Sequence, residues 1–385
     1  MKTNRRKFIQ KSLTSAASIS AASIPLDLLA KRSRPVEFRK KNERRSGPKE
    51  SIRFSVIGLN HGHIYGQVAA LVDGGGELVA VFAKEPELLQ DFTRRYPKVK
   101  VARSEEEILE DNSIQLIASA SIPVDRAPLG IKAMQHGKDF MADKPGITTL
   151  EQLDEVKRIQ NETKQIYSIM YSERLRNPAT VKAGELVQAG AIGKVIQTVG
   201  LGPHRMRAES RPKWFFEHDK FGGILTDIGS HQCDQFLFFT GSSEAEVISS
   251  QVGNINNTQY PGFEDFGDMH VKGNKGTGYI RIDWFTPDGL NTWGDGRLTI
   301  LGTEGYIELR KYTDIAGHDG GNHLFLVDQK ETQYMDCTDV HMPYGEQLVS
   351  DVVNRTETAM TQDHCFLATE LALKAQKHAL KLKLD

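Results

Sequence analysis

Apolar positions first gather in a strand-like run, Ile52-Arg53-Phe54-Ser55-Val56-Ile57, which Gly58 closes. Ile64, Val68, Ala69, Leu71 and Val72 then recur at helical spacing. The alternation continues. A strand is predicted over 78–83 after the turn Asp73-Gly74-Gly75-Gly76, followed by helices near 86–95 and 104–110 and a strand over 114–118. A helix near 126–136, a strand over 139–142, a helix near 149–162 and a strand over 165–170 complete the series. Strands separated by helices predict an α/β domain over 51–175, a Rossmann-type doubly wound parallel sheet covered on both faces. Beyond it, strand-like runs dominate: 195–201, 247–252, 269–272, 278–284, 298–301 and 306–309.

The N-terminal fifty residues follow neither pattern. Arg5-Arg6-Lys7 precede Phe8-Ile9, and a Ser/Ala-rich, weakly apolar run extends from Ser12 to about Ala30. That order is what a twin-arginine export signal looks like, so the reading assigns 1–30 as the signal and a periplasmic or otherwise exported location. The run is too short and polar for a stable membrane span. Residues 31–50, rich in Lys and Arg, read as a basic linker. Charge divides at the same place. Residues 1–50 hold 14 basic against 4 acidic side chains, leaving 35 basic against 46 acidic in the rest. A body that acidic is poorly matched to phosphate backbones, so no nucleic acid partner is expected. The three cysteines, Cys233, Cys337 and Cys365, show no metal-ligand spacing.

The first strand-to-helix turn is where such sheets hold pyrophosphate, with helix N–H groups and the helix dipole favouring an anion. The G-x-G-x-x-G fingerprint here reads Gly58-Leu59-Asn60-His61-Gly62-His63. Asn60 tolerates positive φ, whereas His63 stands where close helix–strand packing wants no side chain. At the end of the second strand the chain offers Ala83-Lys84, with no carboxylate for a ribose diol. Lys84 would suit a 2′-phosphate, so the reading favours NADP over NAD, against a solvated lysine as the plain alternative. His61 and His63 form an H-x-H, which binds metal when later strand ends add ligands. Those ends offer Lys84, Ser119 and Asp143 and no histidine, so no metal is expected.

Two further segments carry chemistry. Asp143-Lys144-Pro145 follows a predicted strand, and Pro145 biases Lys144 towards an extended conformation at the carboxyl end of the sheet. The run from Gly222 to Asp234 opens a helix from about Thr226, with Asp227 and His231 four apart on one face. Either segment alone fits a turn lysine, a capping Asp and a core His.

Together they resemble the glucose–fructose oxidoreductase and inositol dehydrogenase family (Gfo/Idh/MocA), over roughly 52–380. That family carries E-K-P after the fifth strand and G-G-x-L-x-D-x-G-x-H at a helix start. Here the segments read Asp143-Lys144-Pro145, a conservative departure, and Gly222-Gly223-Ile224-Leu225-Thr226-Asp227-Ile228-Gly229-Ser230-His231. Leu186 to Val195 and Ile300 to Gly305 are further likenesses. The resemblance implies a second α+β domain over 176–385, an open, mostly antiparallel sheet that binds substrate and mediates homo-oligomerisation. It implies hydride transfer between NAD(P) and a sugar-like hydroxyl or keto group. His231 would be the base, Lys144 the cation on the substrate oxygen, and Asp227 an orienting group. Gly58, Asn60, His61, Gly62, His63, Lys84, Ser119, Asp143, Lys144 and Pro145 would hold the cofactor. Arg174, His204, Arg205 and Trp214 are substrate candidates. Tyr171, Glu173, Arg176 and Arg207 are placed near the same cleft.

Export adds a constraint. Little free nicotinamide cofactor is expected outside the cytoplasm, so tight binding with internal recycling is expected. One alternative is redox-neutral glycoside hydrolysis by transient oxidation and elimination, as in some exported members of the family. A non-catalytic sugar- or cofactor-binding protein is the other.

Overall fold

A computed structural model describes residues 51–384. The predicted export signal (1–30) and the whole of the predicted basic linker (31–50) lie outside the described residues. The first sheet is built from β1 (Arg53–Ile57), β2 (Glu77–Phe82), β3 (Lys100–Val101), β4 (Leu116–Ser119), β5 (Asp139–Asp143) and β6 (Tyr167–Met170). The strands lie in the order β3-β2-β1-β4-β5-β6 and every pairing is parallel. This is the dinucleotide-binding order, with two halves winding outward from β1. The connecting helices are α1 (Ile64–Gly74), α2 (Pro86–Arg95), α3 (Glu105–Leu109), α4 (Pro123–Gln135) and α5 (Leu150–Thr163). Sequence reasoning missed β3, whose two exposed residues give no apolar run.

After α6 (Ser172–Leu175) and α7 (Pro178–Gln188), β7 (Val195–Pro203) enters the second sheet. The short helices α8 (His218–Phe221) and α9 (Ile224–Asp227) precede α10 (Gly229–Thr240). The sheet continues with β8 (Ala245–Gly253), β9 (Phe266–Gly273), β10 (Thr277–Asp283), β11 (Arg297–Gly302), β12 (Tyr306–Arg310), β13 (His323–Val327) and β14 (Thr332–Asp336). Its nine strands run β14-β13-β12-β11-β7-β10-β9-β8-β15. β15 is Leu380–Lys381. All pairs are antiparallel except β7 with β10 and β8 with β15. The helix expected from Thr226 is in fact two, α9 and α10, joined at Ile228.

The last helices, α11 (Tyr344–Asn354) and α12 (Gln362–His378), return to the first sheet. Tyr344 Oη lies 2.9 Å from Ser168 Oγ on β6, and Tyr167 N donates to Gln362 Oε1 at 2.9 Å. One apolar core therefore runs from Phe54 and Val56 through Ile224 and Phe236 to Leu371. That continuity fixes the ends of the first sheet against α9 and α10. Among the described residues no helix is long and apolar enough to cross a membrane.

Candidate active site

Two cavities open at the carboxyl ends of the first sheet, each of about 340 Å³. Gly58, Asn60, Lys84, Glu85 and Ser121 line one. His61, His63, Arg126, Lys144, Glu173, His204, Asp227 and His231 line the other, with Trp214, Trp284 and Trp293. The turn between them requires glycine at one place. Gly58 has φ 85°, and a Cβ there would meet Ser121 Cβ at 2.6 Å. Asn60 stays out of the left-handed region, contrary to the expectation for it. Its side chain instead donates to Glu85 Oε1 at 2.7 Å. No side chain caps the N-terminus of α1, and no acidic residue stands in its first turn. Both features leave it suited to a pyrophosphate.

His63 does not crowd the helix–strand packing, because its side chain turns outward to β5 and stays 40% exposed. There Asp143 is fully buried. His61 Nδ1 donates to Asp143 Oδ2 at 2.8 Å and His63 Nδ1 to Oδ1 at 2.9 Å, while Arg126 Nη2 lies 3.2 Å from Oδ2. A carboxylate only accepts, so both rings carry their proton on Nδ1 and leave Nε2 bare when neutral. Burial pushes the Asp143 carboxyl up, but His63, Arg126 and His61 outweigh it and hold it well below the usual carboxylate range. Burial, aided by His63, lowers His61 to about 4. Asp143 thus joins the H-x-H after all. The ligand atoms of the three lie within 4.8 Å of one another, a spacing a cation could use. The two N–H donors and Arg126 already satisfy the carboxylate without one.

Lys144 Nζ donates to Asp227 Oδ1 at 2.7 Å, and both residues are buried. Burial raises the Asp227 carboxyl, and the Lys144 ammonium more than reverses that, so it stays ionised. Arg126 fixes the lysine's backbone by donating to the carbonyls of Lys144 and Pro145. On the other side, Gly222 and Gly223 take φ 87° and 89°, and a side chain at Gly223 would run into Gln376. Ile224 N then donates to Glu264 Oε2 and Leu225 N to Gln376 Oε1, which sets α9 and hence Asp227.

His231 is 3% exposed, and its Nδ1 has no hydrogen-bond partner among the described residues. Burial, partly offset by Glu173, lowers it to about 3, well below the ordinary value expected for it from sequence. Glu173 is held to about 2: burial raises it, and Lys311 overrides that. Glu173 Oε2 accepts from Lys311 Nζ and Gln232 Nε2, both at 2.8 Å, while Oε1 is buried without a partner. His204 Nδ1 donates to the Gly202 carbonyl at 3.0 Å, so its bare nitrogen is Nε2. Burial, aided by Lys144, lowers His204 to about 4.

Lys144, Asp227, His231, His204 and Trp214 come together in this cavity. Of the other predicted residues, Gly62, Ser119, Asp143, Pro145, Arg174 and Arg205 line neither cavity. Arg174 is spent on a bidentate pair with Asp234, 2.7 Å at each contact. Arg205 donates to the carbonyls of Pro287 and Leu290, bracing a loop. Ser119 lies buried beneath the turn and donates to Ser121 Oγ, the hydroxyl-bearing residue that lines the first cavity. Sequence reasoning missed Arg126, Glu85, Trp284, Trp293 and Tyr312. Glu85 stands two residues past the strand end at which a carboxylate was sought. A usable signal existed for the aromatic wall, since all three tryptophans of the chain line this cavity.

A parallel sheet in dinucleotide order, with a lysine just after β5 and a histidine on α10 facing one cleft, defines a nicotinamide-dependent oxidoreductase. The NAD-binding Rossmann model of the oxidoreductase family GFO/IDH/MocA matches residues 52–171, and the GFO/IDH/MocA C-terminal domain model matches 180–308. The chain belongs to the Gfo/Idh/MocA family and is an NAD(P)-dependent oxidoreductase. It is 48% identical to a crystallised protein of Erwinia carotovora atroseptica provisionally described as an oxidoreductase, at a TM-score of 0.84. That match covers 86% of this chain and all of the other. Scyllo-inositol 2-dehydrogenase (NAD(+)) of Bacillus subtilis is 26% identical over 66% of this chain and 73% of its own. A 3-ketoreductase of Actinomadura kijaniata, solved with NADP, shares the fold at a TM-score of 0.69 and 16% identity, over 87% of this chain and all of that one.

Proposed function

We propose that this protein, exported by the twin-arginine route, oxidises or reduces a hydroxyl or keto carbon of a sugar-like substrate with a tightly held cofactor. The observation that carries the chemistry is the Lys144–Asp227 ion pair and the neutral His231 in one cavity walled by three tryptophans. Aromatic faces suit the C–H surfaces of a sugar ring. The sugar and inositol dehydrogenases among the relatives point the same way.

The residues present fit a dinucleotide. Gly58, Asn60 and Ser121 with the uncapped start of α1 would hold it, and bound nicotinamide would accept or return a hydride. Lys84 favours NADP, as read from sequence. Glu85, hydrogen-bonded to Asn60 in the same cavity, fits a ribose diol and opposes a 2′-phosphate. The proposal therefore takes NAD. Its reaction needs an acceptor for the hydroxyl proton and a cation for the developing alkoxide. His231 offers a neutral ring above about pH 3, and the Lys144 ammonium, aimed by Asp227, steadies the oxygen. In this division of labour, 51–175 holds cofactor, while 176–385 supplies substrate contacts and the oligomer face.

A second reading, redox-neutral glycoside cleavage, is favoured by His204. Its bare Nε2 is a second proton acceptor, which elimination beside a keto carbon would use. Incubating the purified protein with aryl glycosides and free sugars separates the readings. Keto-sugar formation supports the first and aglycone release the second; neither product, with any added NAD or NADP, rejects both. Export is tested by fusing residues 1–50 to a reporter. Replacing Arg5 and Arg6 by Lys should retain the reporter in the cytoplasm, and unchanged export would reject the route.

A further inference from the structure

The reacting cavity is small. At about 340 Å³ it stands at the low end of ligand sites, which run from ~300 to ~1,000 Å³. A nicotinamide ring and one sugar ring fill such a space. Anything attached to that sugar must leave through the mouth.

The mouth is not bare. Trp293 lines the cavity and is also 42% exposed. Its neighbour across the loop, Phe285, is 41% exposed. An exposed aromatic at the edge of a ligand cavity offers a ring face to whatever extends beyond it. Trp293 is also held in place. Arg205 N donates to its carbonyl at 2.7 Å, and Gly294 and Phe285 form bridges with His204 and Arg205. The Arg205 guanidinium clamps the Pro287 and Leu290 carbonyls from behind. The indole packs 4.7 Å from the His204 ring and 4.5 Å from Tyr312. An exposed indole fixed in advance loses little freedom on binding, as a recognition platform requires.

Resting on the sugar reading above, we infer that Trp293 forms a second subsite at the cavity mouth, and that the substrate is a glycoside or oligosaccharide rather than a free monosaccharide or polyol. The reacting ring sits inside, against Lys144 and His231. The attached ring or aryl group lies on the Trp293 indole, and Arg205 acts only as the brace of that platform.

Isothermal titration of the cofactor-loaded protein tests this. The single-ring probes are glucose, xylose and myo-inositol, and the extended probes are cellobiose, maltose and phenyl β-D-glucoside. Extended probes should bind more tightly than single rings. Trp293→Ala should weaken the extended probes about tenfold and the single rings by a clearly smaller factor, while Trp293→Phe keeps most of the affinity. Equal losses for both classes, no loss for either, or binding of single rings alone would overturn the inference and leave the sugar reading standing. Failure of every probe to bind the unaltered protein would instead overturn the sugar reading, and this inference with it. A change of oligomeric state in Trp293→Ala with unchanged sugar binding would show that a second copy of the chain covers the indole.

Discussion

On the first-sheet wall of the cavity, polar groups are paired: His61 and His63 on Asp143, Arg126 beside it, and Lys144 across the cavity on Asp227 of α9. On the opposite wall, His231 Nδ1 of α10 and Glu173 Oε1 of α6 are buried without partners among the described residues, amid tryptophans. Buried polar atoms without partners are uncommon and cost on the order of 1–3 kcal/mol each. The contrast separates two jobs. The first wall is preorganised around fixed charges, as electrostatic stabilisation of a reacting oxygen demands. The second is left incomplete, as a surface finished by its ligand would be.

The largest expected effect breaks the first wall. Lys144→Ala should lower kcat by roughly 10³-fold or more and, by leaving Asp227 buried without its countercharge, also cost stability on the order of 3 kcal/mol. Near-normal turnover would remove Lys144 from the chemistry. Asp143→Asn should cost on the order of 3–5 kcal/mol of stability by leaving Arg126 buried without its countercharge, read in a denaturant titration. A loss under about 1 kcal/mol would mean the two histidines, not the arginine, set the local balance. Glu85→Gln should relax the cofactor preference by about tenfold in the ratio of NAD to NADP dissociation constants. An unchanged ratio would return Glu85 to a mere partner of Asn60.

A pH dependence is shared by both walls. His61, His204 and His231 titrate at about 4, 4 and 3 in the folded chain, against about 6.5 when unfolded. Below pH 6.5 the unfolded chain therefore binds protons that the folded chain refuses, and stability falls as pH drops towards 4. Each histidine contributes up to about 1.4 kcal/mol per pH unit. Denaturation midpoints that hold constant from pH 7 to pH 5 would contradict the buried neutral state.

The catalytic candidates on both walls were legible in the sequence because each is placed locally. Lys144 is placed by a strand end and a proline, and Asp227 and His231 by a helix start. The pairing of His61 and His63 with Asp143 was not, because it joins positions some eighty residues apart through strand order. Arg174 and Arg205 misled for the converse reason. An arginine near a cleft looks the same in sequence whether it meets a ligand, a buried Asp234 or a loop carbonyl. In the second sheet, the strands with clean alternation were found, while β13 to β15 went unread. β14 shows a half-exposed polar pattern and β15 has only two residues, so both resemble loop.

The most direct test of the central claim is a crystal structure of the protein with NAD. The nicotinamide ring should lie in the cavity between Lys144 and His231, with the adenosine end beside Asn60 and Glu85. A dinucleotide bound elsewhere, or a ring out of reach of both side chains, would contradict it.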